Sequence, residues 1–226
     1  MIYVIIPAYN EEDSIGKVIQ EIPKNLVKEI IVVDNASTDN TAKIAQNLGA
    51  TVLFQSQKGY GNACLKGLEY LKTKDDVGIV VFLDGDYSDY PQQMPLLIEP
   101  ILKNEADLVI GSRVLGKRQK GSMTPPQIFG NWLATYLLKL IYNVKFTDLG
   151  PFRAIRYESL QEIDMKDTTY GWTVEMQVKA AKNHLRCKEI AVDYRRRIGT
   201  SKISGTIKGV VLAGYKILYT IFKYAF

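Results

Sequence analysis

Histidine occurs once and cysteine twice in the 226 residues. Any Ser-His-Asp chemistry would rest on His184 alone, and its setting, Lys182-Asn183-His184-Leu185, reads as a helix-to-strand turn with a surface or capping role. Cys64 and Cys187 lie too far apart for a thiolate metal motif, which excludes a small zinc module and fits the reduced thiols of a cytosolic protein. No uncharged apolar run reaches the ~18 residues of a membrane span. The chain enters a strand-like run at Ile2, with no charged and apolar leader of the secretory kind. The Walker spacing and the three-glycine dinucleotide fingerprint are both missing, as are internal repeats. Acidic residues are absent from two stretches, 108–147 and everything after Asp193. The second stretch holds Arg195, Arg196, Arg197, Lys202, Lys208, Lys216 and Lys223, so the net charge of +5 belongs to the tail. The first gathers Arg113, Lys117, Arg118 and Lys120 in a basic, mobile loop. Both suit an anionic partner: phosphate, nucleic acid or a lipid surface. Neither stretch carries a helix-turn-helix or an RNA-binding signature, which argues against nucleic acid.

What is present is a regular alternation. Apolar runs at 2–6, 30–33, 51–54, 79–83 and 107–111 read as strands, and helical periodicity fills the intervals between them. The order β-α-β-α over the first half predicts an α/β fold, a predominantly parallel sheet with helices on both faces. The second half predicts a long apolar helix from Gln127 to Val144, a short strand at Phe152–Ile155, a helix at 173–183, an edge strand at Lys188–Arg195 and a final helix at Thr206–Phe226.

Parallel strands present their carboxyl ends on one edge, where open α/β sheets bind ligands. The strand at 79–83 ends there in Asp84-Gly85-Asp86, two carboxylates able to converge on one point. Mg²⁺ is commonly held by one or two carboxylates with phosphate oxygens completing the shell. The first strand exits into Pro7-Ala8-Tyr9-Asn10-Glu11 and the second into Asp34-Asn35. Asp34 reads equally as an Asx turn or as an acceptor for a ribose or base edge. Lys58-Gly59-Tyr60-Gly61 is either a tight turn or an anion-binding loop before a helix. Gly111-Ser112-Arg113 brings an arginine to the same edge, suited to bidentate phosphate contact.

Together these segments resemble the family 2 glycosyltransferases of the GT-A fold, from Ile2 to about Ser201. Val32 to Thr41 is similar to the family's nucleoside motif, with Asn35 where a second acid often stands, and Asp84-Gly85-Asp86 falls on its metal motif. Asp86-Tyr87-Ser88-Asp89-Tyr90-Pro91, Gly111-Ser112-Arg113, Asp148 to Arg153, Glu175-Met176 and Tyr194 to Lys202 are similar to motifs of the dolichyl- and polyprenyl-phosphate hexose synthases. The resemblance implies inverting transfer of a hexose from a GDP-mannose or UDP-glucose type donor to a lipid phosphate. It implies Mg²⁺ or Mn²⁺ on Asp84 and Asp86, and a donor site of Pro7, Tyr9, Glu11, Asp34, Asn35, Lys58, Gly59, Asp84 and Gly85. Asp86, Asp89 and Arg113 would be catalytic. Arg113, Lys117, Arg118, Arg197, Ser201 and Lys202 would meet the acceptor phosphate. A phosphate monoester, with a second pKa of about 6, needs cationic positioning rather than a general base; for a hydroxyl acceptor Asp89 and Asp148 are the candidate bases. A soluble transferase acting on a saccharide or small phosphorylated alcohol is the alternative.

The sequence divides into a catalytic domain, 1–204, and a C-terminal amphipathic helix, 205–226. Lys208, Lys216 and Lys223 fall within about 80° of arc beside a broad apolar surface. That pattern predicts a helix lying on a membrane, and a cytoplasmic protein held peripherally on the cytoplasmic membrane face.

Overall fold

The computed structural model describes residues 1–200 and 206–225. The strands are β1 (Ile2–Ala8), β2 (Glu29–Asp34), β3 (Thr51–Phe54), β4 (Ile79–Phe82), β5 (Leu108–Ser112), β6 (Arg153–Arg156) and β7 (Cys187–Ala191). They form one sheet in the order β3-β2-β1-β4-β6-β5-β7. All neighbours pair parallel except β6, which runs antiparallel to both β4 and β5. The chain winds outward from β1 to β3, then returns to β4 on the other side of β1. The β1/β4 junction is therefore the switch point where a crevice opens. Because β6 is reversed, β4 and β5 still point the same way. Residues after Phe82 and Ser112 emerge on one edge, and the loop that precedes Arg153 arrives there too.

Side chains alternate across the sheet with the period of two that the pleat imposes. Tyr3, Ile5, Val80 and Phe82 enter one core, and Val4, Ile6, Val81 and Leu83 the other. The second core is covered by α1 (Ile15–Glu21), α2 (Thr41–Asn47) and α4 (Met94–Leu102), whose Ile15, Val18, Ala45 and Leu97 are buried. The first is covered by α3 (Tyr60–Leu71), α5 (Pro125–Tyr142), α7 (Trp172–Lys182) and α8 (Ile207–Lys223). Trp172 meets Phe82 edge-on, ring centroids 5.9 Å apart. A short α6 (Tyr157–Glu162) follows β6 directly and has no separate periodic signal in the sequence.

α5 begins at Pro125 rather than Gln127, because Thr124 and Gln127 form a reciprocal capping box and proline suits the first helical turn. It stops at Tyr142, where Asn143 takes a left-handed cap with φ 54°. The basic stretch after Arg113 is not a mobile loop: Gln119 and Lys117 hydrogen-bond the Tyr194 backbone, and Arg196 Nε donates to the Lys120 carbonyl.

The C-terminal helix α8 packs on α5 and α7. Ile221 and Thr220 are buried, the Tyr142 hydroxyl donates to the Ile221 carbonyl, and Lys216 pairs with Asp167 at 2.9 Å. Tyr224 donates to Glu175 at 2.7 Å. Its lysines therefore do not form one solvent face: Lys216 turns toward the domain. The outward face carries Val211, Leu212, Tyr215, Tyr219 and Phe222, all exposed. On α5, Ile128, Phe129, Trp132, Tyr136 and Leu140 are likewise exposed. Among the described residues no helix is long and apolar enough to cross a membrane.

Candidate active site

Two adjoining cavities open at the carboxyl edge of the sheet, and Asp84, Asp86, Tyr60 and Arg197 line both. The smaller, about 270 Å³, lies over the β1/β4 switch point between Pro7, Tyr9, Glu11, Asn35, Lys58 and Gly59. The larger, about 500 Å³, runs from Arg113 and Tyr194 between α5 and α8, past Phe129, Leu133, Trp172, Val210 and Ile217.

β4 is buried along its whole length, so the carboxylates after it stand on a rigid element. Asp84 Oδ1 is buried and, among the described residues, has no hydrogen-bond partner. Burial, together with the neighbouring Asp86, pushes its carboxyl up to about 7. Asp86 turns on the sharp bend at Tyr87, φ 66°. Its Oδ1 accepts from the Ser88 amide at 2.9 Å and the Ser88 hydroxyl at 2.5 Å, and its Oδ2 faces Arg197 Nη1 at 3.1 Å. Among the described residues no group of three or more metal-ligating side chains converges. The pair fits an ion that takes two protein carboxylates and draws its remaining ligands from phosphate: an orphaned buried oxygen on Asp84 lies beside a charged oxygen on Asp86.

The proton on Asp84 carries a stability consequence. The folded carboxyl keeps it to about pH 7, against an ordinary value of 3.8. The native state thus binds more protons across that window. The contribution is complete below about pH 4 and is lost as pH rises through about 7. Asp89, also pushed up by burial and by Asp84 and Asp86, adds with the same sign. Urea midpoints of chelator-treated protein should fall between about pH 5 and pH 8, and less so in Asp84→Asn. An identical slope in the variant would refute this.

Asp89 is 2% exposed, lines neither cavity, and both its oxygens lack partners among the described residues. It sits behind the site, which corrects the expectation of a catalytic contact. Asp148 is also unavailable as a base. Its carboxylate is fully buried and takes the Arg113 amide, Nε and Nη2 at 2.7, 2.8 and 2.6 Å. Asp148 is held in turn by Glu189 and Gln177, and Asn131 ties α5 to the adjoining backbone. Although burial pulls the other way, the Asp148 carboxylate holds the Arg113 guanidinium above its usual range. The fully buried Arg153 donates to the carbonyls of Leu149, Gly150 and Thr173, fixing this loop; burial lowers its guanidinium to about 10.

Asn35 donates to the Gln55 and Gln57 carbonyls and accepts from the Gly59 amide, so its side chain pins the loop before α3. Asp34 Oδ1 accepts from the Ser37 amide at 3.2 Å, a local bond to the loop after β2, and Asp34 lines neither cavity. The glycine loop is no anion cradle either. The amides of Gly61 and Asn62 bind the Thr169 and Thr168 carbonyls. A β-carbon on Gly61 would lie 2.0 Å from the Asp167 carbonyl oxygen, so glycine is required by close packing. Lys58 remains at the cavity, its ammonium 2.7 Å from the Tyr9 hydroxyl.

Among the expected acceptor cations, Arg113 and Arg197 reach the cavities, while Lys117 and Arg118 do not; Arg118 turns to the Met123 sulfur. Arg195 is a clamp, paired with Glu21 at 2.6 Å and stacked on Tyr87. Ser201 and Lys202 lie outside the described residues. Tyr60, Leu149 and Tyr194, which fall in the segments singled out in the sequence, also form cavity walls, and Trp172, at the start of α7, is a wall residue that no sequence motif marked.

The glycosyl transferase family 2 model matches residues 3–164. An uncharacterized glycosyltransferase of Mycobacterium tuberculosis is 33% identical over 213 residues, covering 93% of each chain. Undecaprenyl-phosphate mannosyltransferase of Micrococcus luteus is 32% identical over 225 residues, covering 92% of this chain and 89% of that protein. Among solved structures, glucosyl-3-phosphoglycerate synthase from Mycobacterium tuberculosis in complex with Mn²⁺, UDP-glucose and phosphoglyceric acid superposes with a TM-score of 0.78 at 23% identity, covering 100% of this chain and 79% of that one.

Proposed function

The chain belongs to glycosyl transferase family 2, and we propose that it transfers a hexose, with inversion, from a nucleotide-sugar to a polyprenyl or dolichyl phosphate. The observation that carries this reading is the larger cavity: an apolar groove between α5 and α8 that ends on Arg113 and the Asp84/Asp86 pair. A lipid chain has a place to lie and its phosphate a cation to meet. The similarity to the undecaprenyl-phosphate mannosyltransferase supports the same acceptor class.

The smaller cavity would take the nucleoside diphosphate, with Tyr9, Asn35, Lys58 and Gly59 along its wall. Asp84 and Asp86 would hold Mg²⁺ or Mn²⁺ against the diphosphate. Bound there, the ion acts as a Lewis acid that neutralises the leaving group. Arg113, with Nε and Nη2 spent on Asp148, keeps Nη1 for the acceptor phosphate. One acceptor oxygen attacks the anomeric carbon in line as the bond to the diphosphate oxygen breaks, and the nucleoside diphosphate leaves. The attacking dianion needs no base at neutral pH, consistent with Asp89 and Asp148 both lying out of reach. A second reading, a small phosphorylated acceptor, rests on the fold shared with the phosphoglycerate enzyme. Turnover of GDP-mannose and UDP-glucose with Mn²⁺, against polyprenyl phosphate and 3-phosphoglycerate in parallel, decides between them. Transfer to phosphoglycerate alone would overturn the lipid reading.

The outward faces of α5 and α8 form one apolar surface above that groove, with Lys139, Lys208 and Lys223 exposed on the same helices. We assign it to an anionic membrane surface. Removing α8 would take the buried Ile221 out of the core and so test folding instead. The double variant Trp132→Glu/Tyr215→Glu changes side chains that are 57% and 66% exposed and leaves the core intact. It should abolish flotation of the full chain with anionic liposomes. Equal flotation of variant and parent would reject this surface.

A further inference from the structure

Arg197 stands where the two cavities meet, and its guanidinium spans two carboxylates: Nη1 to Asp86 Oδ2 at 3.1 Å and Nη2 to Glu11 Oε1 at 2.9 Å. The use of Asp86 gives this arrangement its meaning. Asp86 Oδ1 is already occupied by the Ser88 amide and hydroxyl. The oxygen left for an incoming cation is Oδ2, the one that Arg197 covers. A guanidinium and a divalent ion cannot share that oxygen at close range without strong repulsion.

We infer that Arg197 is a resident counter-cation that occupies the metal-facing oxygen of Asp86 in the metal-free chain. It moves onto the donor diphosphate when the ion binds, so that ion and donor bind with positive coupling. The inference rests on the reading of Asp84 and Asp86 as the metal pair.

The backbone permits such an exchange without rearrangement. Ile198 donates to the Asp86 carbonyl at 3.0 Å and Arg195 to the Ser88 carbonyl at 2.9 Å, which pins the main chain on both sides of Arg197. The side chain is 26% exposed, and among the described residues its Nε has no hydrogen-bond partner, the fork being held through its two terminal nitrogens. Rotation within the cavities carries the charge from Asp86 toward the space beside Lys58 and Tyr9, where a diphosphate would offer a bidentate acceptor. The carboxylates of Asp84, Asp86 and Glu11 thus keep a positive neighbour in the resting chain. The ion that displaces it gains most when an anion is present to receive the guanidinium. Arg197 is a positioning residue in this scheme, and the expected acceptor-phosphate role passes to Arg113.

Mn²⁺ binding to the full chain, read from the electron paramagnetic resonance of free Mn²⁺, tests this with and without UDP or GDP. In Arg197→Gln, Mn²⁺ alone should bind about tenfold tighter than in the parent. In the parent, UDP or GDP should tighten Mn²⁺ by about tenfold, and in the variant this coupling should fall toward one. Arg197→Met should behave as Arg197→Gln does, and thermal unfolding checks that both remain folded. Asp86→Asn separates the two readings. If it binds Mn²⁺ like the parent, the metal pair is misassigned and the inference falls with it. If it loses Mn²⁺ while the Arg197 variants bind no tighter than the parent, the metal pair stands and the exchange is wrong.

Discussion

Asp86→Asn should lower transfer by about a thousandfold or more while the protein stays folded, the loss that follows when several kcal/mol of charge stabilisation leave the transition state. The substitution keeps shape and can still accept from Ser88 through its amide oxygen, so the turn after β4 survives. What it removes is the charge that faces Arg197 and, on the proposed mechanism, the ion. Asp84→Asn should be equally inactive for a different reason. Its buried carboxyl stays protonated up to about pH 7, so the neutral amide is no burden to folding and raises stability above that pH. Turnover with Mn²⁺, read beside thermal unfolding with chelator, checks both. A folded variant with full activity would remove the carboxylate pair from the mechanism.

The second large effect belongs to Arg113. Arg113→Ala leaves the fully buried Asp148 carboxylate without its partner, and breaking such a pair costs about 3–5 kcal/mol. Lost activity in that variant would therefore mix folding with chemistry. Arg113→Lys keeps the charge and forfeits the fork that engages Asp148 through Nε and Nη2. It should lower kcat/KM for the acceptor by about tenfold to a hundredfold, the worth of one hydrogen bond to a charged group, with nucleotide-sugar affinity unchanged. If the donor weakens and the acceptor KM does not move, Arg113 belongs to the diphosphate site.

The sequence exposed the half of this molecule whose information is local. Strands buried on both faces write themselves as continuous apolar runs, and their carboxyl ends carry Pro7, Asp34, Asp84 and Arg113 to one edge whatever the details of packing. β6 was placed correctly as a short strand, but nothing in four residues says that it runs backwards between β4 and β5. That reversal brings Asp148 to Arg113 across 35 positions of chain. The roles of polar groups were hidden for the same reason. Whether the amides of a glycine loop are free depends on which carbonyls pass nearby, and here Thr168 and Thr169 do. Lys117 and Arg118 look like neighbours of Arg113 on paper, yet the backbone there pairs with Tyr194 and neither side chain lines the groove. The lysines of α8 share an arc, but an arc does not say which way it faces; Asp167 decides that for Lys216.

The 167–169 segment has a consequence for what the chain can tolerate. It is a thin wedge with α8 on one side, through the Asp167–Lys216 pair, and the start of α3 on the other, through backbone bonds to Gly61 and Asn62. Both glycines of the loop press on it: a β-carbon at position 59 would lie 2.3 Å from the Thr168 carbonyl oxygen, and one at 61 still closer to Asp167. The smallest side chain at either position would displace the wedge, and with it the anchor of a helix of which no described residue lines the smaller cavity. Two regions proposed to serve different ligands are thus bound to vary together, because three residues of backbone are the common wall of both.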